Sequence, residues 1–102
     1  MREGTEPTLL KGAGDAAARG DWQQAYQLLV EADASRLLNG PDLVLLADCA
    51  YASGHVEVTI DAWERVHAEG LRAGDRLMAA GAAVRVALHL LFDTALLAPI
   101  RG

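Results

Sequence analysis

Leucines and small residues recur along the chain at a regular interval, and this periodicity constrains the fold more than any other feature. Leu9, Leu43 and Leu77 are separated by two steps of 34. Two further sets keep the same step: Ala13, Ala47 and Gly81, then Ala16, Ala50 and Val84. An offset of four places each leucine and the small residue after it on one helix face. A repeat of this length predicts stacked helical hairpins.

Glycines divide each repeat into two helices. Gly20 and Gly54 are separated by the same step, and each is predicted to end a first helix, because glycine suits the left-handed position after a helix. Asp21 is a good N-cap for a second helix over residues 21–38. The predicted apolar stripe of that helix is Trp22, Ala25, Leu29 and Ala32.

The second repeat follows the same plan. Pro41 suits the first turn of its first helix, and its second helix is predicted over 56–74. The predicted stripe of that helix is Val56, Ile60, Trp63 and Val66. Asp75 lies near the cap of a third first helix, which Pro99 should stop. Because Trp22 and Trp63 both belong to the predicted apolar stripes of the second helices, both should be largely buried.

The predicted fold class is all-α: an antiparallel stack of about five helices, resembling a fragment of an α-solenoid. The composition agrees, because alanine and leucine are abundant and aromatic residues make up 5%. We expect a single domain over residues 1–102, with units at about 6–39 and 40–73 and a partial unit at 74–98.

Charge and cysteine content limit the possible partners and compartment. The net charge of −5 disfavours direct nucleic-acid binding, which needs a basic surface. Cys49 is the single cysteine and cannot form an internal disulfide, which fits a reducing cytoplasm. Residues 77–98 are long and apolar enough to raise the question of a membrane span. However, Arg85, His89 and Asp93 interrupt them, so no membrane association is predicted.

The stretch "LKGAGDAAARGDW", residues 9 to 21, contains glycines that could suggest a phosphate-binding loop. Such a loop follows a β-strand, and no strand pattern precedes this stretch. We interpret it as the end of one helix, its glycine stop and the cap of the next.

The helix–turn–helix unit of this period resembles the tetratricopeptide repeat. The resemblance is carried by "ARGDWQQAYQLLVEA" and "YASGHVEVTIDAWERVH", and it covers two full units, about residues 6 to 73, plus a third first helix. The first segment matches the family pattern at Gly20, Trp22, Ala25 and Leu29. The second, with Gly54, Val56, Thr59 and Trp63, departs from it because Thr59 replaces alanine and Val56 replaces the aromatic residue. The resemblance implies a protein-binding array.

A narrower resemblance is to the helical-repeat region of actinobacterial LuxR-type transcriptional regulators. It is carried mainly by "AWERVHAEGLRAGD" and "HLLFDTALLAP". It implies a role in holding or sensing partners within a regulator. The chain has no recognition segment and no Walker loop, so DNA and ATP binding are not implied for it.

First helices line the binding surface of such arrays. The repeat phase predicts a partner-binding groove that includes Asp48, Tyr51, Met78, Arg85 and His89. The alternative is that the polar members form a solvated face. Arg85, His89 and Asp93 follow each other at steps of four, so their stripe either faces water or meets a partner.

The third first helix is too apolar for one neighbour to cover. Its large apolar residues wrap more than half of its circumference at 100° per residue. We therefore predict an oligomer interface within residues 77–98, formed by Leu88, Leu91, Phe92 and Leu96.

No catalytic, cofactor or metal site is predicted. Glu64 and His67 have the spacing of a di-iron ligand pair, but such centres need two pairs and two further glutamates. Cys49 lies among small residues and is interpreted as a buried structural thiol. The predicted function is therefore a non-enzymatic protein–protein interaction module, as part of a transcriptional regulator. The alternative is a self-associating structural unit.

Overall fold

A computed structural model describes the backbone of residues 2–93 and the side chains of residues 8–93. The described chain forms five α-helices and no strand, which confirms the all-α prediction. The helices are α1 (Arg2–Ala18), α2 (Trp22–Ser35), α3 (Gly40–Ala52), α4 (Val56–Ala73) and α5 (Arg76–Phe92). Consecutive helices pack against each other along the whole series. Residues 94–98 of the predicted third unit lie outside the described residues.

The turns within the first two hairpins have the same geometry, one repeat apart. The backbone N–H of Asp21 donates to the carbonyl of Ala16 at 2.9 Å, and that of His55 donates to Ala50 at 2.7 Å. Each bond spans a glycine in the left-handed region: Gly20 has φ 79°, and Gly54, one repeat later, has φ 90°. The predicted glycine stops are therefore confirmed, and the turn geometry itself follows the period of the sequence.

The predicted caps are also present. The Asp21 carboxylate accepts from the backbone N–H of Gln24, and the Asp75 carboxylate accepts from that of Met78 at 3.0 Å. Pro41 occupies the first turn of α3. Local capping chemistry thus sets the starts of α2 and α5, whereas the first backbone N–H of α3, that of Gly40, donates to the carboxylate of Glu69 on α4 at 2.7 Å.

The core runs along the hairpin interfaces and is built mostly from alanine and leucine. Its largest completely buried side chains include Leu29, Leu43 and Val66. Trp63 is 7% exposed, as predicted, but Trp22 is 41% exposed, so the prediction for Trp22 is wrong. Trp22 is the first residue of α2, and the buried members of the predicted stripe are Ala25, Leu29 and Ala32.

One polar cluster joins the two hairpins. The Arg65 guanidinium on α4 donates to both carboxylate oxygens of Asp33 on α2, at 2.9 and 2.8 Å. The same carboxylate accepts from the backbone N–H of Leu38 at 2.7 Å. The hydrogen bonds from Arg65 are the largest cause of a lowered pKa for the Asp33 carboxyl. This cluster orients α2 and the α2–α3 connection relative to α4.

A close helix crossing positions α5. An ideal Cβ placed on Gly70 would lie 2.8 Å from the backbone nitrogen of Ala79, so only glycine allows this approach. Nearby, His67 Nδ1 lies 2.8 Å from the carbonyl oxygen of Ala79. These contacts place α5 beside α4 and leave a groove between α3 and α5.

Candidate functional site: a groove between α3 and α5

Four of the five residues predicted for a partner-binding groove lie around one cavity of about 350 Å³. They are Asp48, Tyr51, Arg85 and His89. The remaining lining residues are Ala47, Trp63, Leu88, Phe92 and Asp93. Helices α3 and α5 form the two walls, and α4 contributes Trp63. The repeat phase therefore brought together side chains that belong to two different units of the sequence.

The fifth predicted residue, Met78, does not line this cavity. It is half-buried and packs against the apolar core. It borders a neighbouring depression of about 280 Å³ that α3, α4 and α5 line together and that also includes Arg85. Met78 lies two turns before Arg85 on α5, so its side chain is displaced along the helix axis from the groove.

The groove contains a network of three side chains from two helices. The hydroxyl of Tyr51 donates to Asp93 Oδ1 at 3.0 Å. His89 Nδ1 lies 2.9 Å from Asp93 Oδ2. The rings of Tyr51 and His89 also touch, with centroids 4.9 Å apart. Asp93 thus bridges α3 and α5 at the end of α5.

The network changes the acidity of two of its members. The hydrogen bond with His89 is the main cause of a lowered pKa for the Asp93 carboxyl. The hydrogen bond to Asp93 raises the pKa of the Tyr51 hydroxyl, because ionised tyrosine would repel the carboxylate. Tyr51 therefore stays a hydrogen-bond donor and Asp93 stays an acceptor over a wide pH range.

The expectation of a solvated polar face is wrong for His89, which is only 8% exposed. Its ring is covered by Tyr51 and held by Asp93, so the polar stripe of α5 turns towards α3 rather than towards bulk water. The other polar groove residues are exposed: Asp48, Tyr51 and Arg85.

Arg85 is held by an aromatic ring rather than by an acid. Its guanidinium carbon lies 4.7 Å from the centroid of the Trp63 ring. No carboxylate among residues 8–93 is within ion-pair distance of this guanidinium. A cation held over an aromatic face keeps its hydrogen-bond donors free at the edges. Arg85 can therefore donate hydrogen bonds to an acidic group that enters the groove.

The residues predicted for an oligomer interface are exposed on α5 where the structure describes them. Leu88, Leu91 and Phe92 are 45%, 40% and 66% exposed. Leu88 and Phe92 also form the apolar part of the groove lining. Leu96 lies outside the described residues.

The residues considered for metal binding and nucleophilic chemistry are placed differently. Glu64 is exposed, whereas His67 contacts the backbone of α5. Within the described chain, no three histidine, cysteine or acidic side chains are grouped closely enough to hold a metal ion. Cys49 is 0% exposed, and burial raises the pKa of its thiol.

Five of the lining residues were not predicted for the groove, and two of these, Trp63 and Asp93, make specific contacts there. Trp63 was predicted as core, but one face of its ring also supports Arg85. Asp93 was recognised as part of a polar stripe, but not as the partner of Tyr51 on another helix. The four-residue step from His89 to Asp93 was the available signal for their pairing, whereas no local pattern indicates the bond to Tyr51.

None of the helices formed by residues 2–93 has the length and apolar character needed to cross a membrane. Comparisons with known proteins add no relative, since no family model, curated protein or solved structure matches the chain.

Proposed function

We propose that the chain is a non-enzymatic interaction module that binds a segment of another protein in the groove between α3 and α5. The observation that carries the proposal is the lining of that groove. Exposed apolar surface from Leu88 and Phe92 lies beside a guanidinium that has no acidic partner among the described residues. Concave sites that combine apolar surface with a few fixed polar groups are the usual form of a binding site.

The lining also suggests the chemistry of the bound segment. An apolar side chain of the partner would cover Leu88 and Phe92, and an acidic group would reach Arg85. Trp63 restricts the movement of the guanidinium, so less conformational entropy is lost when it binds. Aromatic and arginine side chains are also the types most often found at the energetic centres of interfaces.

Two features support a role without catalysis. Of the groove-lining side chains that could act in nucleophilic or acid–base chemistry, Tyr51, His89 and Asp93 are tied to one another. The buried thiol of Cys49 has a raised pKa, which lowers the fraction of reactive thiolate. The histidine of the groove is engaged by Asp93 and Tyr51, an arrangement that fixes the walls relative to each other.

The module is proposed to be of the tetratricopeptide type and to act within a transcriptional regulator in the cytoplasm. The recurrence of the glycine turn one repeat later supports the first part. The resemblance of "AWERVHAEGLRAGD" to regulator repeat regions supports the second. A net charge of −5 favours a protein partner over nucleic acid.

A random peptide library displayed on phage and selected on the immobilised chain would test the groove. Peptides with an acidic residue near an apolar one should be enriched. Their affinity should fall at least about tenfold for Arg85→Glu, because that change reverses the charge in the groove.

Arg72→Glu is the matched control, because Arg72 is exposed on α4 and lines a different depression. The proposal fails if no peptide is enriched, or if the enriched peptides bind Arg85→Glu as tightly as the unmodified chain.

Self-association is the second candidate function. It is favoured by the exposure of large apolar residues along α5, among them Leu77 at 87% and Val84 at 56%. Extended apolar surface is uncommon on monomers and marks interaction sites.

A further inference from the structure

Seven residues form an uncharged strip along the side of α5 opposite the residues that the helix buries. Three of them, Leu77, Gly81 and Leu88, also border depressions that α4 shares. All seven are exposed, and we call them the outer face of α5: Leu77, Ala80, Gly81, Val84, Ala87, Leu88 and Leu91. The residues that α5 buries are Ala79, Ala82 and His89, on the opposite side of the helix. At 100° per residue, the outer face is centred roughly 180° from this buried side. It is therefore a continuous apolar surface without a covering helix among the described residues.

The same face is covered in the preceding repeat. One repeat earlier, the first four positions of the outer face correspond to Leu43, Leu46, Ala47 and Ala50. Each of these residues is 2% exposed or less. Their helix, α3, packs against both α2 and α4, whereas α5 packs along its length against α4. These repeat positions therefore pack against other helices in α3, whereas in α5 they are exposed.

The spacing of the outer face suits a helix as its partner. Leu77, Val84 and Leu91 follow each other at steps of seven, with Ala80 and Ala87 between them. Steps of three and four alternating along a helix produce a straight apolar seam of the coiled-coil type. Such a seam packs best against another helix with the same spacing.

The outer faces of two α5 helices also complement each other when the helices run in opposite directions. Reversal about Val84 exchanges Leu77 with Leu91, Ala80 with Leu88, and Gly81 with Ala87. Every member of the outer face therefore meets another member. Leu88 is placed opposite an alanine, so large and small side chains interlock, and a glycine from each copy near the centre allows close approach.

We propose that a second copy of this chain covers the outer face, with the two α5 helices antiparallel and Val84 on the two-fold axis. This inference rests on self-association, the second candidate function, and specifies its geometry. An antiparallel arrangement also places Arg76 near the negative end of the helix dipole of the other α5. A parallel arrangement would instead place like helix ends together and would leave Gly81 opposite Gly81.

Sedimentation velocity across micromolar concentrations tests the association. The unmodified chain should sediment as a dimer of twice 10.8 kDa. Val84→Glu should raise the dimer dissociation constant at least about 100-fold, because two carboxylates would meet in an apolar contact. Val30→Glu is the control, because Val30 is 41% exposed on α2 and lies outside the outer face.

Cysteine cross-linking tests the geometry. Val84→Cys should form a disulfide-linked dimer when diamide is added as oxidant, because the two thiols would meet at the axis. A mixture of Leu77→Cys and Leu91→Cys chains should form linked pairs that join positions 77 and 91, as identified by mass spectrometry. The unmodified chain is the control, since Cys49 is 0% exposed and should not cross-link.

The outcomes distinguish self-association itself from the antiparallel pairing of the α5 helices. A monomer at all concentrations overturns both self-association and the proposed pairing. A dimer that resists Val84→Glu and in which Val84→Cys does not cross-link overturns the pairing alone. Links between two copies of position 77 overturn the antiparallel direction. Circular dichroism spectra that match the unmodified chain show that a variant is folded, as expected for changes at exposed positions.

Discussion

Helices α3 and α5 occupy the same place in successive repeats, yet their equivalent residues have opposite environments. Leu43 on α3 is 1% exposed, and Leu77, one repeat later on α5, is 87% exposed. Ala50 is 0% exposed and Val84 is 56% exposed. The difference comes from the neighbours: α3 lies between α2 and α4, whereas α5 has α4 along one side. Burial of a repeat position is therefore a property of the stack and not of the repeat itself.

The two helices are also attached by different means. Large leucines, Leu43 and Leu46, anchor α3 in the core. The buried residues of α5 are two alanines and His89, and a polar bridge through Asp93 ties its end to α3. Because apolar burial stabilises roughly in proportion to area, α5 gains less from packing than α3 does. Of the two, α5 should therefore detach more easily.

The largest expected effect is at Trp63, in the helix that both regions share. Trp63→Ala should lower the free energy of unfolding by about 3–5 kcal/mol, because it empties a large buried site and removes the support of Arg85. Trp22→Ala is the matched change at a ring that is 41% exposed, and it should cost much less. Chemical denaturation measures both. Equal losses would contradict the difference in burial.

Leucine truncation at equivalent positions tests the comparison directly. Leu43→Ala should cost about 3 kcal/mol, because it leaves a cavity in the core. Leu77→Ala should cost less than about 0.5 kcal/mol in the monomer, as for other exposed substitutions. Urea unfolding of both variants should be measured at a concentration where the chain is monomeric. A loss at Leu77 as large as the loss at Leu43 would mean that its side chain is covered.

Glycine substitutions test how closely α5 packs against α4. Gly70→Ala should destabilise by about 2 kcal/mol, because its Cβ would press on the backbone of Ala79. Gly14→Ala is the control on α1, where the added Cβ would meet no described atom within 4 Å apart from the nearby backbone of its own helix. It should stabilise by about 0.5–1 kcal/mol through helix propensity. Thermal unfolding should therefore shift in opposite directions, and a tolerated Gly70→Ala would indicate a wider crossing.

The Asp33–Arg65 pair should contribute a smaller, pH-dependent term at the junction of the two hairpins. Asp33→Asn should cost about 1–2 kcal/mol near neutral pH, since it removes charged hydrogen bonds that are partly exposed. The pKa of Asp33 is lowered by folding, so this contribution is complete above the unfolded-state value of about 3.8 and is lost as pH falls below it.

The difference in unfolding free energy between the unmodified chain and Asp33→Asn should therefore shrink at acidic pH. Glu64→Gln, a change at an exposed carboxylate of α4, is the control and should leave stability nearly unchanged. A difference that stays constant from neutral pH into the acid range, well below the ordinary pKa of aspartate, would argue against the pair.

Much of the fold could be predicted because its signals are local. Glycine stops, the caps at Asp21 and Asp75, and Pro41 in a first turn each depend on backbone chemistry within a few residues. The groove was reached through the repeat phase, which transfers positions from one unit to the next. The predicted burial of Trp22 was wrong. An apolar stripe shows which side of a helix faces the core, but not how much of each side chain the neighbouring helix covers.

By itself, the sequence determined the five helices and the starts of α2 and α5, because capping and apolar spacing act over one or two turns. It did not determine where helices end, since α2 ends at Ser35 rather than at residue 38 and α5 ends at Phe92 rather than before Pro99. Only the tertiary structure decided which faces are covered. It placed Asp93 beside Tyr51, set the guanidinium of Arg85 over Trp63, and left the outer face of α5 exposed. These outcomes depend on distances between helices, such as the close approach at Gly70, and such distances result from the packing of many side chains together.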